Sequence, residues 1–343
     1  IANMGFALAT NTPVILAADI DRGGVIASIV GTHALLPQEE LNLIKGFIIN
    51  KFRGDPNLFQ DALTLITSKT SWACLGICPW FPKAHLLPAE DSQDLETSPV
   101  STKDNSQKLI RIAVPVLPRI SNFDDLDPLR AEPNVELNLI KPGTPIPATT
   151  DLIILTGSKA TISDLKALYT EGWDIDIKTH IRRGGYVLGL CGGYQMLGNK
   201  IADPNRIESE LTSIKGLACL EIETSIETTK TLEKTTATDL CSSHSFNAYQ
   251  MHMGTTTGED CTRPLFKIGD EFEGALSTNG RVMGTYLHGL FQSDKFRESF
   301  LKRINPKHRS TGNYQNSIET TLDQLAEHLE QNLDLKTLLQ IAK

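Results

Sequence analysis

The sequence predicts an α/β protein built from two parallel-sheet domains in succession. Two observations predict it. Over residues 1–90, short apolar runs alternate with helical segments, the pattern of a parallel sheet joined by right-handed crossovers. Beyond residue 109 the alternation resumes, and twice an apolar strand runs straight into a glycine turn, at Leu152-Ile153-Ile154-Leu155-Thr156-Gly157 and at Val187-Leu188-Gly189-Leu190-Cys191-Gly192-Gly193.

The first domain reads, in order, as a helix over 4–10, a strand over 13–18, a turn over 19–24, a helix over 25–36, a strand over 46–51, a helix over 56–68 and a strand near 73–77. Asp19 and Asp21 follow the first strand, and Arg22-Gly23-Gly24 opens the next helix. That arrangement suits a metal-bound phosphate or an acidic substrate. It equally suits a plain helix start in which Asp21 is the cap and the glycines turn the chain. Arg53 and Asp55 are placed to pair with each other at the surface. Cys74 and Cys78 share one face of the last strand, and with no second Cys/His pair nearby no zinc site is expected.

Residues 88–108 shift to Ser, Thr, Asp, Gln and Pro, the composition of a linker. The expected layout is a first domain over 1–88, a linker over 89–108, a second domain over 109–305 and a helical tail over 306–343. The second domain opens with a strand over 109–116 and a proline-bent loop, Leu117-Pro118-Arg119-Ile120-Ser121-Asn122-Phe123-Asp124-Asp125. A strand over 152–155 and a helix over 175–183 precede the strand, turn and helix of 186–197, and a β-rich region spans 216–284. Within it, residues 224–239 are dense in Thr, Lys and Glu without apolar periodicity, which predicts an exposed hairpin or loop. The tail carries Leu322, Leu325, Leu329, Leu333, Leu335, Leu338 and Leu339, a stripe expected to pack as core on the body of the protein.

The chemistry concentrates at Cys191. A side chain between a strand end and a helix start is pushed out of the sheet, where the unpaired amides of the first helical turn favour a thiolate. The Gly192 N–H then points to where an oxyanion would form. A cysteine that is only a small buried hydrophobe is the plainer alternative, but it would not need Gly189, Gly192 and Gly193 around it. A thiol nucleophile requires a base distant in sequence and near in space, and Tyr286-Leu287-His288-Gly289 supplies the candidate His288. His252, in Tyr249-Gln250-Met251-His252-Met253-Gly254, competes for that role. The strand ending at Gly157 is able to bring a second backbone amide to the thiol.

Composition sets the class. Of 343 residues, 40% are hydrophobic and 22% charged, a globular balance, and the net charge of -8 argues against a nucleic-acid partner. No apolar run reaches the ~20 residues of a membrane span, and there is no signal peptide. Six scattered cysteines do not make a disulfide framework. These features place the chain in the cytoplasm.

Gly189-Leu190-Cys191-Gly192-Gly193-Tyr194-Gln195 with Tyr286-Leu287-His288-Gly289 resembles the class I glutamine amidotransferase domain of the cobyrinic and cobyric acid synthases. The likeness continues in Asn3-Met4-Gly5-Phe6-Ala7, Asp19-Ile20-Asp21-Arg22-Gly23-Gly24-Val25, Asn50-Lys51-Phe52-Arg53-Gly54-Asp55, the 117–123 loop and Met251-His252-Met253-Gly254, an order nearest the cobyric-type branch. The resemblance implies a dethiobiotin-synthetase-like nucleotide-binding domain, only partly present, followed by a flavodoxin-like glutaminase domain. It assigns Cys191 and His288 to catalysis, with Gly192 and an amide near Gly157 holding the oxyanion. Most class I glutaminases carry a Glu two residues after the histidine; here that place is Leu290, as in the cobyric-type branch.

The resemblance further places Asn50 and Lys51 near a nucleotide, and Arg119, Ser121 and Asn122 at a domain junction or on substrate. It implies glutamine, a corrinoid (adenosylcobyrinic acid a,c-diamide, amidated at its b, d, e and g carboxylates) and ATP with Mg2+ as co-substrates, with no tightly bound prosthetic group. No G-x-x-x-x-G-K-[ST] occurs in the sequence, so the chain reads as lacking the family's phosphate-loop segment. Synthesis of the a,c-diamide, a stand-alone glutaminase and a non-catalytic corrinoid-binding remnant are the alternatives.

Overall fold

Buried parallel strands read as continuous apolar runs because helices cover both faces of the sheet, and Leu152–Leu155, every residue of which is buried, is such a strand. The computed structural model describes residues 2–88, 109–310 and 312–343; the expected linker over 89–108 lies outside them. The chain divides into two compact units, one of Ile1–Leu87 with Ile318–Lys343 and one of Pro88–Ser317.

In the first unit, Val14–Asp19, Ile44–Phe52 and Ala73–Pro79 form a parallel sheet in that order. Helices Val25–Leu35 and Gln60–Thr70 contribute Val25, Ile29 and Ile66 to a core shared with Phe47, Ile49 and Trp72. Asp55 accepts a hydrogen bond from the Asn57 N–H and so caps the turn at Pro56–Phe59, rather than pairing with Arg53 as expected. The closing helices are Tyr314–Asn332 and Leu335–Ile341. Of the seven striped leucines six lie on these helices and Leu333 between them, and none is buried, contrary to the expectation of core. Polar contacts fasten this segment: Asp334 N–H donates to Leu75 O at 2.8 Å, and the His328 ring meets Pro79 O at 2.9 Å.

In the second unit, Val135–Ile140, Ile110–Pro115, Leu152–Leu155, Tyr186–Leu190 and Val282–Thr285 lie side by side in that order, all parallel, with Ala275–Leu276 antiparallel at the edge. Counted along the chain, the parallel strands run 2-1-3-4-5, the flavodoxin-like doubly wound order. Successive side chains alternate between faces. Ile153, Leu155 and Val187 therefore pack with Ile162, Leu165 and Trp173 of one helical layer, while Ile154, Leu188 and Leu190 pack with Phe291, Phe296 and Phe300 on the other.

A seven-stranded sheet adjoins this body, built on a long hairpin of Ile222–Asp239 and Ser245–Gly258 to which Leu287–His288 adds. The Thr-rich stretch read as an exposed hairpin or loop is thus one arm of a long hairpin whose register shifts between Ser225 and Lys230. Thr is a good strand former, and the solvated stretch has no need of apolar alternation.

Two glycines of the strand-turn-helix are packing requirements. A Cβ on Gly193 would stand 2.0 Å from Leu155 O, and one on Gly189 would stand 2.6 Å from Gly193 O. Both contacts are with backbone, which cannot swing aside. Gly193→Ala is expected to lower stability by about 1–3 kcal/mol or more, read as a drop in the midpoint of urea unfolding; an unchanged midpoint would contradict this packing.

Candidate active site

Tyr186–Leu190 delivers the chain into Cys191, whose φ of 49° and ψ of -108° lie where L-residues seldom sit. Three backbone bonds hold the turn. Cys191 N–H donates to Thr285 O (2.9 Å), Gly193 N–H to Thr156 O (3.0 Å) and Gln195 N–H to Cys191 O (3.1 Å). Gly193 N–H is therefore spent, whereas Gly192 N–H opens the helix Gly192–Leu197 and has no acceptor within it. Ser158 N lies 3.0 Å from where a Gly192 Cβ would be, so the loop after Gly157 does bring a backbone amide to this corner. The Cys191 thiol donates to Met251 O at 3.4 Å.

His288 enters from the other sheet, level with Tyr249 in the register of Leu287–His288 on Ser245–Gly258. It is 0% exposed. Its Nδ1 lies 2.7 Å from Asp125 Oδ2, and Asp125 Oδ1 accepts the Gly289 N–H at 2.6 Å. A carboxylate there assigns the proton to Nδ1 and leaves Nε2 for another partner. Nε2 has no hydrogen bond among the described residues by distance and angle, and Cys191 is, after Asp125, the side chain that favours the charged ring. Burial by itself would depress the imidazole; the Asp125 hydrogen bond and the nearby Cys191 outweigh it and push His288 up to about 10. Tyr249 stacks on the ring at 5.1 Å and takes a hydrogen bond from Asn122 Nδ2 (3.0 Å).

Asp125 is a candidate site residue that sequence reasoning missed. It is 3% exposed and sits in the turn Phe123–Leu126, immediately after the loop that leaves the Ile110–Pro115 strand. Two signals pointed to it: an Asp pair on a loop at the carboxyl end of a central strand, and a histidine whose usual carboxylate partner is replaced by Leu290.

Cys191 opens onto a cleft of about 800 Å³ lined also by Ser121, Asn122, Gln195, Glu208 and Met253. Ser121 and Asn122 thus line the same cleft as the cysteine, while Arg119 is exposed and its backbone is held, the N–H by the buried Asp164 and the carbonyl by the Lys159 N–H. Gln195 is fixed on all sides, accepting from Thr161 Oγ1 and donating to Met253 O and Tyr286 Oη. His252 also lines the cleft, but it stacks on Tyr286 at 3.9 Å and its Nδ1 meets Gly254 O; burial, with a lesser push from the nearby His288, holds it below the usual histidine value.

In the first unit, Asp19, Asp21 and Lys51 gather at the carboxyl edge of the sheet, joined by Arg53. Lys51 Nζ donates to Asp19 at 2.8 Å, and Arg53 holds Asp21 with two bonds of 2.9 and 3.0 Å. Those bonds keep Asp19 and Asp21 below the usual carboxylate range. Neither carboxylate caps the helix Val25–Leu35, whose N-cap is Gly24 without a side-chain bond; Asp19 caps the short turn Ile20–Arg22, accepting the Asp21 N–H. Gly23 and Gly24 take φ of 74° and 67°, Asn50 accepts the Lys51 N–H, and the Arg22 side chain is 86% exposed. Both carboxylates are engaged by cations, and among the described residues no group of three or more His, Cys, Asp or Glu is arranged to hold a metal.

Residues 111–296 match the family model described as the CobB/CobQ-like glutamine amidotransferase domain. The chain is 49% identical over 342 residues to the cobyric acid synthase of Brucella suis, and 51% identical over 343 residues to that of Methylobacterium nodulans. Each match covers 100% of this chain and 70% of the relative. Among solved structures it is similar to PurLQS from Thermotoga maritima, with a TM-score of 0.42 and 14% identity over 63% of this chain and 99% of that one.

Proposed function

Since the chain belongs to the cobyric acid synthase family and carries its CobB/CobQ-like glutamine amidotransferase domain, we propose that Cys191, His288 and Asp125 are the groups with which it releases ammonia from glutamine. One observation carries the reading: a buried imidazole tied by Nδ1 to a carboxylate, its Nε2 without a hydrogen bond among the described residues and the thiol of a strand-turn-helix cysteine beside it. The Cys191 thiolate attacks the side-chain amide carbon, and the carbonyl electron pair moves onto oxygen. Gly192 N–H and the amide following Gly157 stabilise that oxyanion. As the tetrahedral intermediate collapses, His288 gives its proton to the departing nitrogen, leaving a glutamyl thioester and ammonia. Water then adds to the thioester with His288 as base, which returns the thiol and yields glutamate. Asp125 holds the ring in the tautomer and orientation both steps need.

The finer assignments belong to the same proposal. Ammonia passes to a ligase reaction in which ATP activates a corrinoid carboxylate as an acyl phosphate, and the amine displaces phosphate to leave an amide. The acceptor is adenosylcobyrinic acid a,c-diamide, amidated at its b, d, e and g carboxylates, in the cytoplasm. The three-stranded parallel sheet of the first unit supports its reading as part of a dethiobiotin-synthetase-like domain, with Asp19, Asp21, Asn50 and Lys51 toward the nucleotide. Mg2+ arrives with ATP. No helix among the described residues is long and apolar enough to cross a membrane.

Glutamate release from glutamine by the wild-type chain tests the glutaminase reading, and its absence would overturn it. Mass analysis of cobyrinic a,c-diamide incubated with ATP and glutamine tests the acceptor. The pH dependence follows from His288. Its folded value is raised to about 10, so the proton-donating form persists through neutrality and, on the basic side, kcat/KM falls as pH rises through about 10. By linkage the same contact contributes stability fully below the ordinary value near 6.5, and that contribution is lost as pH rises through about 10. A basic limb centred near 6.5 would contradict the Asp125 contact.

A further inference from the structure

We propose that Glu273 is a positioning residue for this glutaminase reaction, its carboxylate tying together the two places where the chain crosses between the sheets and so holding His288 against Cys191. The inference rests on the glutaminase reading of the site and extends it to a residue outside the cleft.

The topology creates the need. Glu273 ends the strand Glu271–Glu273, which belongs to the seven-stranded sheet, and the chain then enters the six-stranded sheet at Ala275–Leu276. It makes the reverse crossing after Thr285, leaving Val282–Thr285 for Leu287–His288 in the seven-stranded sheet. A residue between two sheets has no ladder partner, yet its backbone groups must still be satisfied when buried.

Glu273 meets that need with both oxygens. Oε1 accepts the Tyr286 N–H at 2.6 Å, and Oε2 accepts the Thr285 hydroxyl at 2.6 Å. The same hydroxyl oxygen accepts the Leu287 N–H at 3.0 Å, and the Thr285 carbonyl accepts the Cys191 N–H at 2.9 Å. A single carboxylate is thus joined to the segment that fastens the nucleophile's amide on one side and leads within two residues to His288 on the other. Asp125 orients the imidazole ring; Glu273 sets the backbone that carries it. Two short bonds from donors are what an ionised carboxylate takes, and its neutral acid would forfeit one acceptor.

The surroundings make that ionisation matter near neutrality. Burial pushes Glu273 up to about 7 against the opposing pull of the Thr285 and Tyr286 donors and of His288. Among the described residues, the other titratable groups facing it are Tyr194 from the helix Gly192–Leu197 and Cys261 from the turn Glu259–Thr262. Asp260, beside Cys261, is paired with Arg263.

The test uses the full 343-residue chain with Glu273→Gln and Glu273→Asp, measuring glutamine hydrolysis and, separately, alkylation of Cys191 by iodoacetamide across pH. Glu273→Gln is expected to lower kcat by about 10- to 100-fold, with KM for glutamine within about 3-fold, because one charged hydrogen bond is lost away from the substrate. An acid limb near pH 7 is expected in the wild type from Glu273 and should disappear in that variant, a change that loss of packing alone would not produce. Wild-type kcat, or an acid limb left intact, overturns the proposal.

Alkylation needs no glutamine, so it reads the geometry directly. It is expected to slow by about 10-fold in Glu273→Gln as His288 is displaced, and equal rates overturn the proposal. A wild type that alkylates faster than the variant but releases no glutamate overturns only the glutaminase reading. Should Glu273→Gln fail to fold, Glu273→Asp carries the test: its shorter arm cannot span both donors, so kcat falls while the acid limb stays. Undiminished kcat in Glu273→Asp also overturns the proposal.

Discussion

Cys191→Ala is expected to abolish glutamine hydrolysis, lowering kcat by at least about 10⁴-fold, while urea unfolding stays close to wild type. The two halves of that result have separate causes. Without the sulfur there is no covalent intermediate, and the imidazole has nothing to activate except water. The side chain contributes little to packing, being only partly buried with one hydrogen bond, to Met251 O. The backbone strain at φ 49° is the same for alanine as for cysteine, so it cancels in the comparison. Glutamate release by Cys191→Ala at even a tenth of the wild-type rate would remove Cys191 from the reaction.

Asp125→Asn is expected to lower kcat/KM by about 10²- to 10⁴-fold and to move the basic limb from about 10 toward the ordinary histidine value. The carboxamide of this variant retains one acceptor oxygen for the two donors that Asp125 now serves, His288 Nδ1 and Gly289 N–H. Whichever donor that oxygen keeps, the amide NH2 faces the other. If the ring flips to relieve that conflict, Nε2 no longer meets the thiol in the required tautomer. The sign is fixed because the carboxylate stabilises the imidazolium; its removal lets burial, which depresses the imidazole, prevail. An Asp125→Asn variant with wild-type kcat/KM and an unmoved basic limb would show that the 2.7 Å contact is structural only.

The elbow cysteine was legible because its environment is made by residues adjacent in sequence. A buried strand, a glycine on either side and a short helix specify the elbow wherever they occur, and the clashes at Gly189 and Gly193 are the physical content of that pattern. His288 was legible from its motif, but the carboxylate that orients it was not. Asp125 lies far along the chain, and only the 2-1-3-4-5 strand order brings the loop after Ile110–Pro115 to the histidine. Arg53 illustrates the same limit at the first unit: its sequence neighbour Asp55 caps a turn, and its partner is Asp21 across a strand pair. The leucine stripe of the closing helices failed for a different reason. Periodicity shows which residues share a face, and it does not show how much of that face is covered.

By itself, the sequence determined the alternation of strands and helices, the elbow that exposes Cys191 and the pairing of a thiol with a distant imidazole, because these follow from local backbone preferences and residue chemistry. Only the tertiary structure decided which carboxylate completes the pair, which backbone amide remains unspent and which acid clamps the crossings between the sheets. Those choices depend on distances between segments that strand order sets, and no local preference encodes such a distance.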